Sequence, residues 1–220
     1  MGHCIMIIPY IPLLLKGALV TATTWICATV GSLLLGTIFG ILSCNQLKLK
    51  KLKIIVRIFA FIAKAVPAYV QILIAYFAVP TVLNIDISNF TAGVSALIFC
   101  SSGYVTEIIR SGINTVPTSQ WDAAYVLGYS KYQTLVRIIL PQAIRNIFPT
   151  LLAEFEQLLK STSLLATIGV TELTKTGMNI ISRELLPIPI YLTLALMYIL
   201  FSTLLQTVLL YTERYYYDYR

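Results

Sequence analysis

The stretch WDAAYVLGYSKYQTLVRIILP, Trp121 to Pro141, breaks the character of its surroundings. It carries Asp122, Lys131, Gln133 and Arg137 between two long apolar runs. Asp122-Ala123-Ala124 reads as the start of a short helix, with Asp122 in the first turn, where a negative charge favours the positive end of the helix dipole. The two alanines make one thin side that another surface can approach closely. Gly128 then ends the helix, because glycine accepts the left-handed backbone that turns a chain past its last helical residue. A second helical stretch follows, with Tyr132, Leu135, Val136, Ile139 and Leu140 at mixed three- and four-residue spacing. Pro141 marks a break or kink before the next apolar run.

What surrounds the stretch is hydrocarbon. Of the 220 residues 58% are hydrophobic and 11% charged, and the mean hydropathy is +0.82. Soluble domains hold about 45–50% apolar and about 25% charged residues, so a bilayer is the natural sink for the excess. A spanning helix needs about 20 mostly apolar residues. Five runs meet this, at about 12–43, 54–82, 90–111, 144–168 and 187–211. The first exceeds one crossing and is therefore tilted or begins at the interface. The expected fold is an all-α integral membrane protein with about five transmembrane helices, one transmembrane domain over 1–220, and a loop at about 112–143.

Charge sets the expected orientation. Lys48, Lys50, Lys51, Lys53 and Arg57 crowd between the first two runs with no acid among them, which places that loop in the cytoplasm. Alternation then puts the N-terminus outside, the Asp86–Asn89 loop outside, 112–143 in the cytoplasm, 169–186 outside, and the tyrosine-dense tail YTERYYYDYR inside. Lys131, Arg137 and Arg145 agree with this placement of 112–143. The apolar N-terminus lacks a basic cluster and a small-residue cleavage site and reads as part of the mature chain. An odd number of spans without an internal repeat suggests half of a pair, completed by a second copy or a relative.

Composition also excludes. The one histidine, His3, is terminal, and neither HExxH nor GxSxG occurs, so hydrolase chemistry is not expected. Cys4, Cys27, Cys44 and Cys100 show no CxxC spacing, so neither a disulfide framework nor a metal site is expected. The net charge of +7 clusters at the ends of apolar runs rather than among stacking aromatics, which argues against nucleic acid. No Gly-Lys-Ser/Thr loop is present, so the chain is not expected to hydrolyse ATP or hold a cofactor. The loop segment either lies on lipid headgroups or docks a cytoplasmic partner. Small alanines and a turn glycine suit a protein groove better than lipid, which prefers bulky apolar residues opposite a lysine-rich side.

The gaps in this segment resemble the EAA loop of ABC importer permeases. That pattern is Glu-Ala-Ala, three residues, Gly, nine residues, Ile, one residue, Leu-Pro. Here it reads Asp122-Ala123-Ala124, Gly128, Ile138 and Leu140-Pro141, with Asp in place of Glu. Over most of the chain the sequence is similar to the polar amino acid uptake branch of that family. Pro67 and Gln71 match, while Lys64-Ala65-Val66 stands where Arg-Gly-Thr is usual. Tyr104, Glu107, Arg110, Gly112, Ile113, Val116-Pro117 and Gln120-Trp121 match. So do Glu154-Phe155, Lys160, Thr162-Ser163-Leu164, Ile168-Gly169-Val170 and Glu172-Leu173-Thr174. Glu156 falls where an apolar residue is usual, and Ser161 where an acid or amide is usual.

The resemblance implies a type I ABC importer permease fold with a cytoplasmic coupling helix, in the bacterial cytoplasmic membrane. It implies docking of ABC ATPase subunits at Asp122, Ala123, Ala124 and Gly128. A second permease subunit, alike or related, and an external amino acid binding protein complete the machine. The competing reading is an ion-coupled secondary amino acid transporter or channel, for which the loop would be coincidence.

Polar side chains at bilayer depth are costly and face cavities or partners, so they mark the expected substrate path: Lys64, Gln71, Tyr104, Glu107, Glu154, Ser161, Thr162 and Ser163. Glu107 and Arg110, three apart, form a local ion pair or a gate. Glu154 contacts substrate or a neighbouring helix. Glu156 lies about 200° away on the same helix and faces the interface or the partner subunit. Lys64 snorkels or pairs with one of these acids. The run from Lys160 to Ser163 offers donors to a substrate carboxylate, or ends a helix. Gly36 and Gly40 have GxxxG spacing, which suits close helix packing.

Overall fold

The computed structural model describes residues 7–47 and 50–217, with side chains at all of these except 208–210 and 212–217. His3, Cys4, Lys48 and the tail beyond Tyr217 lie outside the described residues. Among these residues the chain is helical without strands. α1 is Ile11–Ser43, entered through a 3-10 turn Ile8–Tyr10; α2 is Lys50–Ala65 and α3 Ala68–Leu83. α4 is Asn89–Thr115, α5 Thr118–Val126, α6 Lys131–Ile168, α7 Leu173–Glu184 and α8 Pro187–Tyr217. Four helices, within α1, α4, α6 and α8, are long and apolar enough to cross a bilayer, and the α2–α3 pair makes a fifth, broken crossing.

α4 is the hub. Its apolar window is 61% buried, against 11% for α8 at the rim, and α1, α2 and α6 all pack on it. In a bilayer there is no hydrophobic drive between helices, so close approach and polar contacts must hold them. α1 shows how. Its buried face is a stripe of small residues that includes Gly17, Thr21, Ala28, Ser32, Gly36 and Gly40, while Leu19, Leu34 and Ile38 point outward. A Cβ added at Gly36 would sit 2.5 Å from Val105 Cβ, and one at Gly40 2.6 Å from Ile109 Cβ, both on α4. The GxxxG spacing thus does what its sequence suggests.

Three sequence expectations change. The run at 54–82 is not one straight crossing: α2 and α3 meet at 100° across Val66-Pro67. Proline lacks an N–H and pushes the residue before it out of the helical region. The freed carbonyls are recaptured by Gln71, whose Nε2 donates to Ala63 O over 2.8 Å and to Val66 O over 2.7 Å.

Pro141, by contrast, does not break its helix. α6 runs continuously from Lys131 to Ile168, four turns before the expected start at 144. A π-helical turn, Leu135–Ile139, lets Leu140 N–H reach back to Leu135 O, and the proline follows it. The same device, Ile74–Ala78, precedes Pro80 in α3.

The connection at 169–186 is no plain loop. It contains α7, whose buried face of Leu173, Thr176, Gly177 and Ile180 packs on α1 and α8.

Candidate functional site

Two regions carry the candidate residues. The first is the loop around α5. The helix begins at Thr118, with Pro117 as N-cap, so Asp122 is in its second turn and not its first. The dipole argument for Asp122 therefore fails. The cause is Pro117, whose φ of −55° starts a helix earlier than the Asp does. Gly128 adopts φ +82° as expected. Gly128 N–H reaches Tyr125 O and Tyr129 N–H reaches Ala124 O, each over 3.0 Å, which closes the helix end. Ser130 then caps α6 with a reciprocal Ser130–Gln133 pair.

The alanines do not form one side. Ala124 is 1% exposed against the body of the protein, while Ala123 faces out. Trp121 anchors the loop in a cluster with Ile113, Val116, Leu135 and Ile139. What projects is Tyr125, Val126, Leu127 and Tyr132, each at least 74% exposed, beside the exposed Asp122. A contiguous apolar patch of this kind at a helix end marks an interaction surface.

The second region is a cavity of about 260 Å³ where α2, α3, α4 and α6 meet. Lys64, Cys100, Tyr104, Glu154, Gln157 and Ser161 line it. The α2–α3 break creates the space and leaves Lys64 at its mouth, in the last turn of α2. Ser101 on α4 donates its hydroxyl to Glu154 Oε1 over 2.8 Å, fixing the carboxylate from across the bundle. Cation and acid thus share one small space at bilayer depth.

The other candidate path residues sit elsewhere or serve the backbone. Gln71 is the clamp at the break. Glu107 pairs with Arg110 along α4, both side chains partly buried and outside the cavity lining. Each hydroxyl of Ser161, Thr162 and Ser163 donates back to its own helix, to Gln157 O, Leu159 O and Lys160 O. A hydroxyl has one proton to give, so this run offers acceptors to a ligand rather than donors. Ser161 alone of the three lines the cavity. Cys100, Ser101 and Gln157 were not among the expected path residues; the only hint of Ser101 is the polar Cys100-Ser101-Ser102 step inside an apolar run.

A second polar cleft, about 390 Å³, opens on the opposite flank of α6 against α8. Lys160 Nζ lies 2.8 Å from Glu156 Oε1, and Gln206 donates to Glu156 Oε2 over 3.3 Å. Above it, Glu172 caps α7. Its carboxylate accepts Thr174 N–H over 2.8 Å, Lys175 N–H over 2.7 Å and the Tyr198 hydroxyl over 3.2 Å. Burial pushes that carboxyl above its ordinary range, against the downward pull of the two N–H groups.

Residues 7–215 match the family described as binding-protein-dependent transport system inner membrane component. The putative glutamine transport system permease protein GlnP of Rickettsia prowazekii (strain Madrid E) is 36% identical over 176 residues, 80% of this chain and 79% of its own length. The glutamine transport system permease protein GlnP of Escherichia coli (strain K12) is 31% identical over 213 residues, 94% of each chain. Among solved structures, a chain from the crystal structure of an amino acid ABC transporter with histidines is similar, with a TM-score of 0.87. It is 31% identical, with 96% of this chain and 97% of that one covered. A chain of the inward-facing MetNI methionine ABC transporter has a TM-score of 0.78 at 15% identity, with 91% and 94% covered, which speaks to the fold alone.

Proposed function

The chain belongs to the binding-protein-dependent transport system inner membrane components, and from that premise we propose that it is the membrane-spanning subunit of an ATP-driven importer for polar amino acids. It is a multi-pass helical permease, not an enzyme. The self-contained ion-coupled transporter, the alternative reading, finds no support in this membership.

The observation that carries the substrate reading is the shared cavity of Lys64 and Glu154. A free amino acid is a zwitterion. Glu154, oriented by Ser101, receives the α-ammonium, and Lys64 receives the α-carboxylate. Ser161 Oγ, Gln157 and the Tyr104 hydroxyl remain for a polar side chain. The names of the relatives favour glutamine among such substrates. Gln71 holds the wall of the cavity rather than its contents, and Glu107, Thr162 and Ser163 act on the helices around the path.

Force enters at the other end of α6. The projecting Tyr125, Val126, Leu127 and Asp122 surface docks a separate cytoplasmic ATPase subunit. Lys131, beside α5, and Glu154, in the cavity, belong to one helix. The 23-residue step between them spans about 35 Å at 1.5 Å per residue, so a push at the loop is delivered to the cavity without a joint of coil. In this reading the membrane is the bacterial inner membrane, with the N-terminus outside and the C-terminus in the cytoplasm. A second permease subunit, the same or related, closes the path, and an external binding protein delivers the substrate.

The test is reconstitution. The chain, co-expressed with a candidate ABC ATPase subunit, is purified, placed in liposomes with a candidate binding protein, and assayed for uptake of labelled L-glutamine. ATP-dependent uptake with a co-purified ATPase is the expected result. Uptake that persists without ATP or without the ATPase overturns the reading.

A further inference from the structure

Glu156 is an acid where the resembled family has an apolar residue, and the import reading gives it no task. Its surroundings are built, however. Glu156 is held by Lys160 at 2.8 Å, by Gln206 at 3.3 Å and by the Ser202 hydroxyl. Lys160 is held differently. Among the described residues its Nζ meets only Glu156, and its side chain is 53% exposed. The remaining hydroxyls are committed: Thr203 donates to Ile199 O, and Tyr198 is engaged with Thr174 and Glu172. Lys160 is therefore the charged donor in the cleft with protons to spare among the described residues.

The place matters as much as the chemistry. Gln157 and Ser161 line the cavity, while Glu156 and Lys160, one residue back in each case, line the cleft. The two spaces flank one ridge of α6. A half-exposed lysine at bilayer depth does not face hydrocarbon.

Resting on the import reading, we infer that this cleft is a second station for the same substrate class, in which a free zwitterionic amino acid inserts into the Lys160–Glu156 ion pair. Its carboxylate takes Lys160, and its ammonium takes Glu156, which Gln206 and Ser202 keep in place. Charge balance selects the ligand. A zwitterion leaves the net charge of the cleft unchanged. An anion would take Lys160 and leave Glu156 without its partner, and a cation would take Glu156 and leave Lys160 without its own. From this station the substrate crosses the ridge to the Lys64–Glu154 cavity.

The experiment uses the permease–ATPase complex in lipid nanodiscs and proteoliposomes. The double variant Glu156→Gln/Lys160→Gln removes both charges and keeps hydrogen-bonding shape. It is expected to co-purify with the ATPase and hydrolyse ATP at the unstimulated rate, while uptake of labelled L-glutamine falls about tenfold. The single variants carry a sign that a structural pair would not give. Labelled L-glutamine bound to the complex without binding protein becomes about tenfold more sensitive to competition by L-glutamate in Glu156→Gln, and by L-arginine in Lys160→Gln. Unchanged uptake in the double variant, or unchanged competition in both single variants, overturns the inference alone. Loss of co-purification or of subunit pairing in the double variant assigns the cleft to a subunit contact and also overturns it. Absence of L-glutamine uptake in the unaltered complex brings down the import reading and this inference together.

Discussion

α6 and α8 lie side by side, and both are long enough to cross a bilayer, yet their exposed sides have opposite chemistry. α8 shows Ile188, Leu192, Leu196, Ile199, Leu200 and Leu204 to its surroundings. α6 shows Gln142, Asn146, Thr150, Ala153, Gln157 and Lys160. Exposure alone therefore does not say what a transmembrane surface touches. The α8 surface is at home in hydrocarbon, where every polar group would be a cost. The α6 surface needs water or protein, and the cavity and the cleft described above both open on it.

The sharpest way to break this contrast is labelling. In a chain with its native cysteines replaced, Ala153→Cys on α6 should react with a membrane-impermeant thiol reagent and Leu196→Cys on α8 should not; equal reactivity would erase the distinction. Next in size is charge. Leu196→Lys should cost about 2.5–3.5 kcal/mol of insertion at the centre of a span, seen as loss of the chain from the membrane fraction. Gln157→Lys on α6 should leave insertion intact.

Glu154→Gln should retain assembly with the ATPase while uptake falls about ten- to a hundredfold, because the Ser101 bond survives and the charge does not. At the loop, Gly128→Ala forces a side chain into φ +82°, a strain of about 1–2 kcal/mol. It should show as faster amide exchange around Ala124–Tyr129 and weaker retention of the ATPase.

The smallest effect concerns Glu172, the polar tie between α7 and α8. Its folded pKa is raised, so the stabilisation from its protonated form is complete below the unfolded value and is lost as pH rises through the raised one. Melting in detergent between about pH 4 and pH 8 should show that decline, and Glu172→Gln should flatten it.

The legible part of this molecule is the part written in short-range pattern. Hydropathy gave the membrane, GxxxG the contact of α1 with α4, and glycine spacing the end of α5. Pro117 was visible too, but Asp122 looked like the better helix start, and that choice moved the helix by four residues. The break at Pro67 was hidden because apolar residues continue on both sides of it, and a window average reads straight through. α7 was hidden for the opposite reason: its buried face is only Leu173, Thr176, Gly177 and Ile180, too thin and too polar to register as a span. The cavity was half legible. Lys64, Tyr104, Glu154 and Ser161 stand out as polar residues among apolar ones. Their meeting with Ser101, 53 residues from Glu154, is a product of packing that no spacing encodes. The Glu156–Lys160 pair was written plainly at i, i+4, but the adjacent hydroxyl run drew the lysine into a different grouping.

The π turn at Leu135–Ile139 sets the register of everything beyond it. A π turn holds one residue more than the α turn it replaces, so it works as a gear tooth between the loop and the membrane. Rewinding the same five residues as a plain α-helix, with none deleted, would turn the rest of α6 by about 100°. With Lys131 fixed beside α5, the cavity would then be offered Ala153 in place of Glu154. The sequence of the path would be unchanged, and its chemistry would be gone.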